Sequence, residues 1–583
     1  MNNFLLEVSF EVANKVGGIY TVLKEKAPYM KEKFGDNYLV IGPFNQNKNS
    51  QDFTPFAPPE DFEQVIATTG RYGVKVCYGE WLIEGRPKGF LIDGENLLSK
   101  LSVLKYELWD RYKIDSRRTG PDYNEPLLWA KAVSLFLKSF CDYFSGKKIV
   151  IHFHEWLAGA ALLFNECPAT TIFTTHATVL GRALASAGVN FWDHLARLQA
   201  EEEAYRVGVE AKHQLEKHSA QAATYFTVVS NVLKVEAEKF LGRSADFVLP
   251  NGLDFKRFPT VEEIAAAHRK NRETLREFIL FFFAPYYKVE TKDSLIVFTS
   301  GRPEIKNKGI DVFIQALGQL NSVLTSEDKN VFVFIWVPGA SPDVDSALVH
   351  NLNIYKGVEE KIDEMGAELK SRLLHYLIHQ RPTISGNLFT AEEFLQFKRM
   401  FSQIKKNNII PLATHILPAA DPIAALLREN NLLNRQDDKV KIIYYPVYVS
   451  STDGLLNLNY EDAITGCHIG AFPSFYEPWG YTPMETAASG VLTVTTELTG
   501  FADYIKTQTA FNLDNLGLAI LPRQNTTAEA TANKLFEILK RMVRLQRAER
   551  VQEKLRTRQL ASVCDWKKLI ENYYTLYDKA LAQ

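Results

Sequence analysis

The sequence predicts an α/β protein built from two doubly wound parallel sheets that face each other across a cleft. Three observations carry that prediction. Short runs that are hydrophobic almost throughout recur at 38–44, 148–155, 170–177, 225–230 and 246–252, with helix-like segments between them. A second series follows at 294–302, 331–339, 441–449, 467–474 and 490–496. Strands covered on both faces lose the in-and-out alternation of a half-exposed sheet, so each series marks a parallel sheet. The third observation is length, since 583 residues exceed what one core usually supports. The expected division is 1–278, then 279–560 with a helical insert at about 342–438, then a last helix over 561–583 that packs back on the first part.

Composition narrows the class. The chain is 46% hydrophobic and 23% charged with a net charge of -2, values of an ordinary globular protein with no general attraction for nucleic acid or anionic lipid. Its five cysteines are scattered and include no C-x-x-C pair, so reduced thiols are expected. The opening "MNNFLLEVSFEVANK" has no basic leader and carries Glu7 and Glu11 inside its apolar run, unlike a signal peptide. No uncharged apolar stretch approaches the 18 or so residues of a membrane span, and a cytoplasmic location is the default.

Taken in chain order, chemistry-bearing residues fall at the ends of the predicted strands, where ligands bind in open α/β sheets. "NKVGGIYTVL" sets Gly17 and Gly18 before a helix, allowing a ligand close to the backbone. His154, His176 with Arg182, Ser230 and Asn251 follow later strands; a single histidine in that position is either a satisfied core residue or a catalyst. "GRPEIKNKG" puts Arg302 and Lys308 after a strand, as a solvated basic turn or as two cations for a pyrophosphate. In the insert, Val358, Ile362, Met365, Leu369, Leu373 and Leu377 recur at three and four, a seam for its own domain or for another subunit.

The stretch "FYEPWGYTPMETAASG" brings Glu477 and Glu485 together around a turn. Thr482, Pro483 and Glu485 read as a capping box opening a helix, whose free N–H groups would suit a phosphate. Glu477 is left to solvent or to the cleft. Near the end, Lys540, Arg544, Arg547, Arg550, Lys554 and Arg558 form a basic stripe if the segment is one helix, either a solvated face or a phosphate site. No H-E-x-x-H, P-loop or G-x-S-x-G appears, and the cations read as phosphate counter-charge, with no metal expected.

In one order, "EVANKVGGIYTVL", "FHEWLAG", "TTHATVLGR", "PNGLD", "GRPEIKNKG" and "PSFYEPWGYTPMET" resemble glycogen synthases of the animal and fungal type over nearly the whole chain. The resemblance implies a GT-B fold, with a first Rossmann-like domain on the acceptor side and a second holding the nucleotide sugar. It implies retaining transfer of glucose from UDP-glucose to the 4-hydroxyl at a non-reducing end of an α-1,4-glucan, without a metal cofactor. Matching positions assign Glu477, His176, Arg302 and Lys308 to catalysis. Lys15, Gly17, Gly18, Arg182, Asn251, Tyr460, Trp479, Gly480, Tyr481, Thr482 and Glu485 go to substrate and nucleotide, with Tyr460 stacked on uracil and Glu485 on the ribose. Arg547, Arg550, Lys554 and Arg558 match only in part a helix that binds glucose 6-phosphate. The long terminal tails of animal enzymes have no room here, and a homo-oligomer, such as a tetramer through the insert, is implied. An ADP-glucose donor and a catalytically weak glucan-binding scaffold are the competing readings.

Overall fold

The computed structural model describes residues 3–45, 52–340, 343–379, 388–407, 409–509 and 515–583. Nine strands form the first sheet: β1 (Phe4–Val8), β2 (Tyr38–Pro43), β3 (Phe53–Pro55), β4 (Lys75–Trp81), β5 (Lys88–Asp93), β6 (Ile149–His154), β7 (Thr170–Thr175), β8 (Tyr225–Val228) and β9 (Phe247–Val248). They lie in the order β3-β4-β5-β2-β1-β6-β7-β8-β9. The second sheet holds β10 (Leu295–Ser300), β11 (Val331–Trp336), β12 (Val440–Tyr445), β13 (Ile469–Ala471), β14 (Leu492–Thr496) and β15 (Leu518–Leu521), in the order β12-β11-β10-β13-β14-β15.

Each of the ten predicted runs contains a strand. The second sheet is parallel throughout. Its faces separate cleanly: Leu295 and Val297 of β10 enter one apolar core, Ile296 and Phe298 the other. That two-sided burial is why the runs do not alternate. The first sheet departs from the expectation at one edge, where β3 and β4 pair antiparallel and β4 with β5 likewise. The short turn between β4 and β5 can join only antiparallel neighbours.

Helix Ile264–Phe283 lays Phe278 against Phe334 and Tyr445 of the second sheet. The expected boundary at 278 therefore falls inside a continuous helix, and the chain crosses between the sheets earlier, after β9. It crosses back near the end. Leu253 N–H donates to Cys564 O at 2.9 Å and Trp566 N–H to Leu253 O at 3.2 Å, joining the two crossings. Helix Trp566–Ala582 then buries Tyr573 and Tyr577 beside Lys26 of the first lobe.

Two further expectations change. Cys141, at the end of helix Pro121–Tyr143, and Cys167, after helix Glu155–Leu163, form a disulfide with Cα atoms 5.8 Å apart. Packing of those helices brings together thiols that sequence spacing kept separate. In the insert, helices Ser346–Glu364 and Gly366–Ile378 abut at Met365, and the seam splits. Val358 is buried, whereas Leu373, Leu374, Leu377 and Ile378 are exposed. Residues 342, 380–387 and 408 of the expected insert lie outside the described residues.

Trp566 is fully buried, packs on Gly252 and donates its indole N–H to Glu25 at 3.1 Å. Trp566→Ala is expected to cost about 3–5 kcal/mol, read as a lower urea midpoint of the first lobe. A midpoint unchanged from wild type would show that the returning helix does not support that lobe.

Candidate active site

In the parallel part of each sheet the strand order reverses, between β1 and β6 and between β10 and β13. Loops leaving neighbouring strands in opposite directions open a crevice there. After β1, Glu11 turns back to accept the N–H groups of Gly17 (2.9 Å) and Tyr20 (2.8 Å), capping helix Gly18–Phe34. Burial pushes the Glu11 carboxyl up. After β6, Glu155 sits at φ +66°, in the left-handed region that non-glycine residues seldom adopt. Its carboxylate accepts the N–H groups of His176 (2.8 Å) and Ala177 (3.1 Å) at the end of β7. Burial raises Glu155 to about 7, against the pull of Arg182.

His176 reaches His154 through Nε2, 3.0 Å from its Nδ1. Burial and the nearby His154 and Lys26 hold it well below its ordinary value, so it is neutral. Helix Val179–Ser186, capped by Thr178, carries Arg182 into the crevice. There the carboxylates of Glu155, Glu304 and Glu477 and the Tyr476 phenol outweigh desolvation and keep Arg182 charged.

On the second lobe, Gly301 and Arg302 follow β10, with Arg302 Nε 3.1 Å from Glu304. Lys308 ion-pairs with Glu477, so the glutamate without a structural role in the sequence is bound by one of the two predicted phosphate cations. Past buried Trp479, Gly480 takes φ +104° and caps helix Tyr481–Ala488 without a side chain. The capping box is thus absent: the helix starts at Tyr481, before Thr482, because the glycine makes the turn. The N–H groups of Tyr481 and Thr482 consequently have no acceptor among the described residues.

The lobes meet around this loop. Ser230 Oγ donates to Pro478 O at 2.7 Å, Tyr476 OH to Glu236 at 2.8 Å, and Asn307 Nδ2 to Ser186 Oγ at 2.8 Å. A Cβ on Gly18 would stand 3.9 Å from the Tyr481 ring. His176, Arg182, Gly17, Gly18, Arg302, Lys308, Glu477 and Trp479 to Thr482 therefore share one crevice. Lys15 is exposed on the loop before Gly17. Asn251 is buried at the crossing of the lobes, outside that group.

Tyr460 and Glu485 form the far end. Tyr460 hydrogen-bonds Ser300 and meets Trp336 edge-on. Arg257 bridges Glu25 of the first lobe and Glu461 of the second. Burial lifts Glu485 to about 8, with Arg257 opposing and Glu461 and Glu25 adding to the rise. Sequence reasoning missed Glu11, Glu155, Glu236 and Arg257; a glutamate inside an apolar strand-to-helix turn, as in "FHEWLAG", was the available signal.

The basic stripe is not one helix. Leu545 is extended (ψ 133°) and Gln546 caps a new helix, Arg547–Ala561. Lys554 is buried with Nζ 3.0 Å from His268 Nδ1. Burial, with Arg272, Lys554, Arg550 and Arg276 adding to it, holds His468 well below its usual range. Arg272 Nη2 and Arg276 Nε have no hydrogen-bond partner among the described residues, although Arg272 Nε donates to Gly466 O and Arg276 also pairs with Glu273. Arg558 leaves this cluster for Ala488 O (2.7 Å) and the Phe255 ring, and Arg547 is exposed.

A family model described as glycogen synthase matches residues 7–583. Similar curated proteins include the glycogen [starch] synthase of Neurospora crassa, 33% identical over 100% of this chain and 84% of that protein. The human liver enzyme is 32% identical over 98% of this chain and 82% of its own length. Among solved structures, the catalytic domain of starch synthase IV from Arabidopsis thaliana, bound to ADP and acarbose, aligns over 100% of both chains with TM-score 0.54 and 12% identity. Sucrose-phosphate synthase from Thermosynechococcus elongatus aligns over 100% of this chain and 99% of that one with TM-score 0.50 and 14% identity. These last two show the two-domain GT-B fold.

Burial raises Glu236 to about 7 from an ordinary 4.5, with Thr178 and Tyr476 opposing. The folded state thus holds a proton that the unfolded chain releases; this contribution is complete below the unfolded value and is lost as pH rises through about 7. Between about pH 5 and pH 8 the Tm of Glu236→Gln should gain about 2 °C or more on wild type. Parallel Tm curves would place the proton elsewhere.

Proposed function

The chain belongs to the glycogen synthase family, and on that footing we propose that this crevice transfers glucose from UDP-glucose to the 4-hydroxyl at a non-reducing end of an α-1,4-glucan, with retention. The observation that carries the reading is the meeting of Lys308–Glu477 and the free N–H groups of Tyr481 and Thr482 with His176 and Arg182 of the other lobe.

Breaking the bond from glucose to phosphate builds negative charge on the diphosphate and positive charge on the sugar ring. Arg302, Lys308 and the helix start at Tyr481 meet the first, because fixed cations and N–H dipoles need no reorganisation. When a diphosphate takes the Lys308 ammonium, the Glu477 carboxylate is left beside the sugar and offsets the second. Backbone N–H groups of Trp479 and Gly480 suit sugar hydroxyls, Tyr460 the uracil, and Glu485 the ribose. Glu485 and Glu477 serve opposite ends of the donor, so no pair of carboxylates is placed for a glycosidase-like double displacement. The acceptor instead attacks from the leaving-group face, and the departing phosphate takes its proton.

The reading requires no metal. Glu7, His152 and His154 form the one His, Cys, Asp and Glu group among the described residues close enough to share an ion, and the Lys26 ammonium already rests on Glu7. We assign the cluster of Arg272, Arg276, Arg550 and Lys554 to a phosphate effector such as glucose 6-phosphate, on the strength of its unpaired guanidinium nitrogens. The exposed leucines of Gly366–Ile378 support assembly through the insert, which a sizing measurement reads. No helix among the described residues is long and apolar enough to cross a membrane, and the cytoplasmic location is part of the proposal.

Purified protein should extend a glycogen primer from UDP-glucose in the presence of a chelator, faster when glucose 6-phosphate is added. Transfer from ADP-glucose alone would overturn the donor, and transfer from neither would favour a glucan-binding scaffold. Glu477→Gln should lower kcat by about 10²-fold or more with the fold intact.

A further inference from the structure

A line of hydrogen bonds runs from the core of the first lobe to His176. Glu7, in the middle of β1, is fully buried. Its Oε2 accepts from Tyr38 OH at 2.6 Å, while Oε1 takes the Lys26 ammonium and lies 2.8 Å from His154 Nε2. Burial alone would push the Glu7 carboxyl up, but Lys26 and His154 outweigh it and hold it well below its usual range. An ionised carboxylate only accepts, so the proton of that contact belongs to His154 Nε2. A second proton on this buried imidazole would put a new positive charge beside Lys26, so Nδ1 is bare. His176 Nε2 stands 3.0 Å from it and must supply the hydrogen. Neutral His176 then has no proton on Nδ1, the nitrogen that has no protein partner among the described residues. His152 stacks on His154 and its Nδ1 lies 3.7 Å from Glu7 Oε1, but its hydrogen bonds go elsewhere, to Tyr577 OH (2.8 Å) and Thr174 Oγ1 (2.6 Å).

We propose that Glu7 and His154 are positioning residues that fix His176 as a hydrogen-bond acceptor, so that its Nδ1 receives a hydroxyl of the donor sugar. The proposal rests on the reading of this crevice, which His176 lines, as the site of glucosyl transfer. It also bears on the direction in which the donor lies. A bare imidazole nitrogen attracts an O–H and repels a phosphate oxygen, whereas Lys308 and the N–H groups of Tyr481 and Thr482 attract the phosphate. The first lobe thereby adds a contact that only the sugar end of the donor can make.

Nitrogen-15 NMR of histidine-labelled protein reads the tautomer directly. In the wild type, His176 should carry its proton on Nε2 and keep it there when UDP-glucose binds. A proton on Nδ1 would overturn the proposal whatever any variant does. Glu7→Gln combined with Lys26→Met preserves shape and removes the ammonium that would otherwise hold the amide oxygen on the His154 side, so the amide can donate to His154 Nε2 and the line can reverse. That variant should show His176 protonated on Nδ1 and a kcat about 10- to 100-fold lower, with KM for the donor little changed. His152→Asn removes an equally buried neighbour outside the line. It should lower Tm yet hold kcat within about threefold, a loss too small for a broken acceptor contact. Equal losses of kcat in the two variants would show a merely structural cluster. If the double variant does not fold, the wild-type tautomer still decides. Full activity in His176→Ala would remove the sugar contact while leaving the tautomer intact, and so separates failure of the functional reading from failure of the relay.

Discussion

A parallel sheet whose strand order reverses leaves one gap in its covering of crossover connections, and everything chemical in this protein is built around two such gaps. β1 and β6 flank the first, β10 and β13 the second. Chains leaving these strands diverge, so the groups that follow them are free of the ladder and able to face a ligand. Gly17 and Gly18 descend from β1, Glu155 from β6, Arg302 and Lys308 from β10, and the loop to Glu477 from β13. The lobes are fastened by contacts from these same loops, Tyr476 to Glu236 and Ser230 to Pro478. Anchoring of the catalytic loop and docking of the two lobes are therefore one event.

A crevice crowded with carboxylates has to hold its charges in balance. Glu7 is matched by Lys26, Glu477 by Lys308, Glu304 by Arg302, and Glu25 and Glu461 by Arg257. Where burial outweighs the partners the carboxyl is pushed toward its protonated form instead: Glu236 accepts from Thr178 and Tyr476 and feels Arg182, yet is raised to about 7. Buried charge is tolerated only when paired or neutralised, and both solutions occur within a few residues. The Lys308–Glu477 pair differs from the Lys26–Glu7 pair in being partly open to the crevice, which leaves its cation available to a stronger anion.

Elements whose side chains repeat a simple pattern could be read from the sequence. Ten of the fifteen strands show as mainly apolar runs, and the site loops show as polar or glycine residues at their ends, while β1, β5 and β15, also largely buried, lie outside those runs. β3, β4 and the insert packing could not be read in this way, because an edge strand such as "KVCYGEW" is half exposed and mixes polar with apolar positions. The false capping box had the right residue types, yet Gly480 at φ +104° moved the helix start, a backbone property no spacing reveals. The extended Leu545 broke the basic stripe in the same way. Arg257 and Glu236 escaped notice because their partners, Glu461 and Tyr476, lie some two hundred residues away in the chain. Long-range charge pairing is a product of the fold and leaves no local trace.

The measurement that bears most directly on the account is a crystal structure with UDP bound. The distal phosphate is predicted within about 3 Å of Lys308 Nζ and of the N–H groups of Tyr481 and Thr482, with Lys308 turned from Glu477 and the uracil on Tyr460. Nucleotide bound instead among Arg272, Arg550 and Lys554, with the Lys308–Glu477 pair undisturbed, would contradict it.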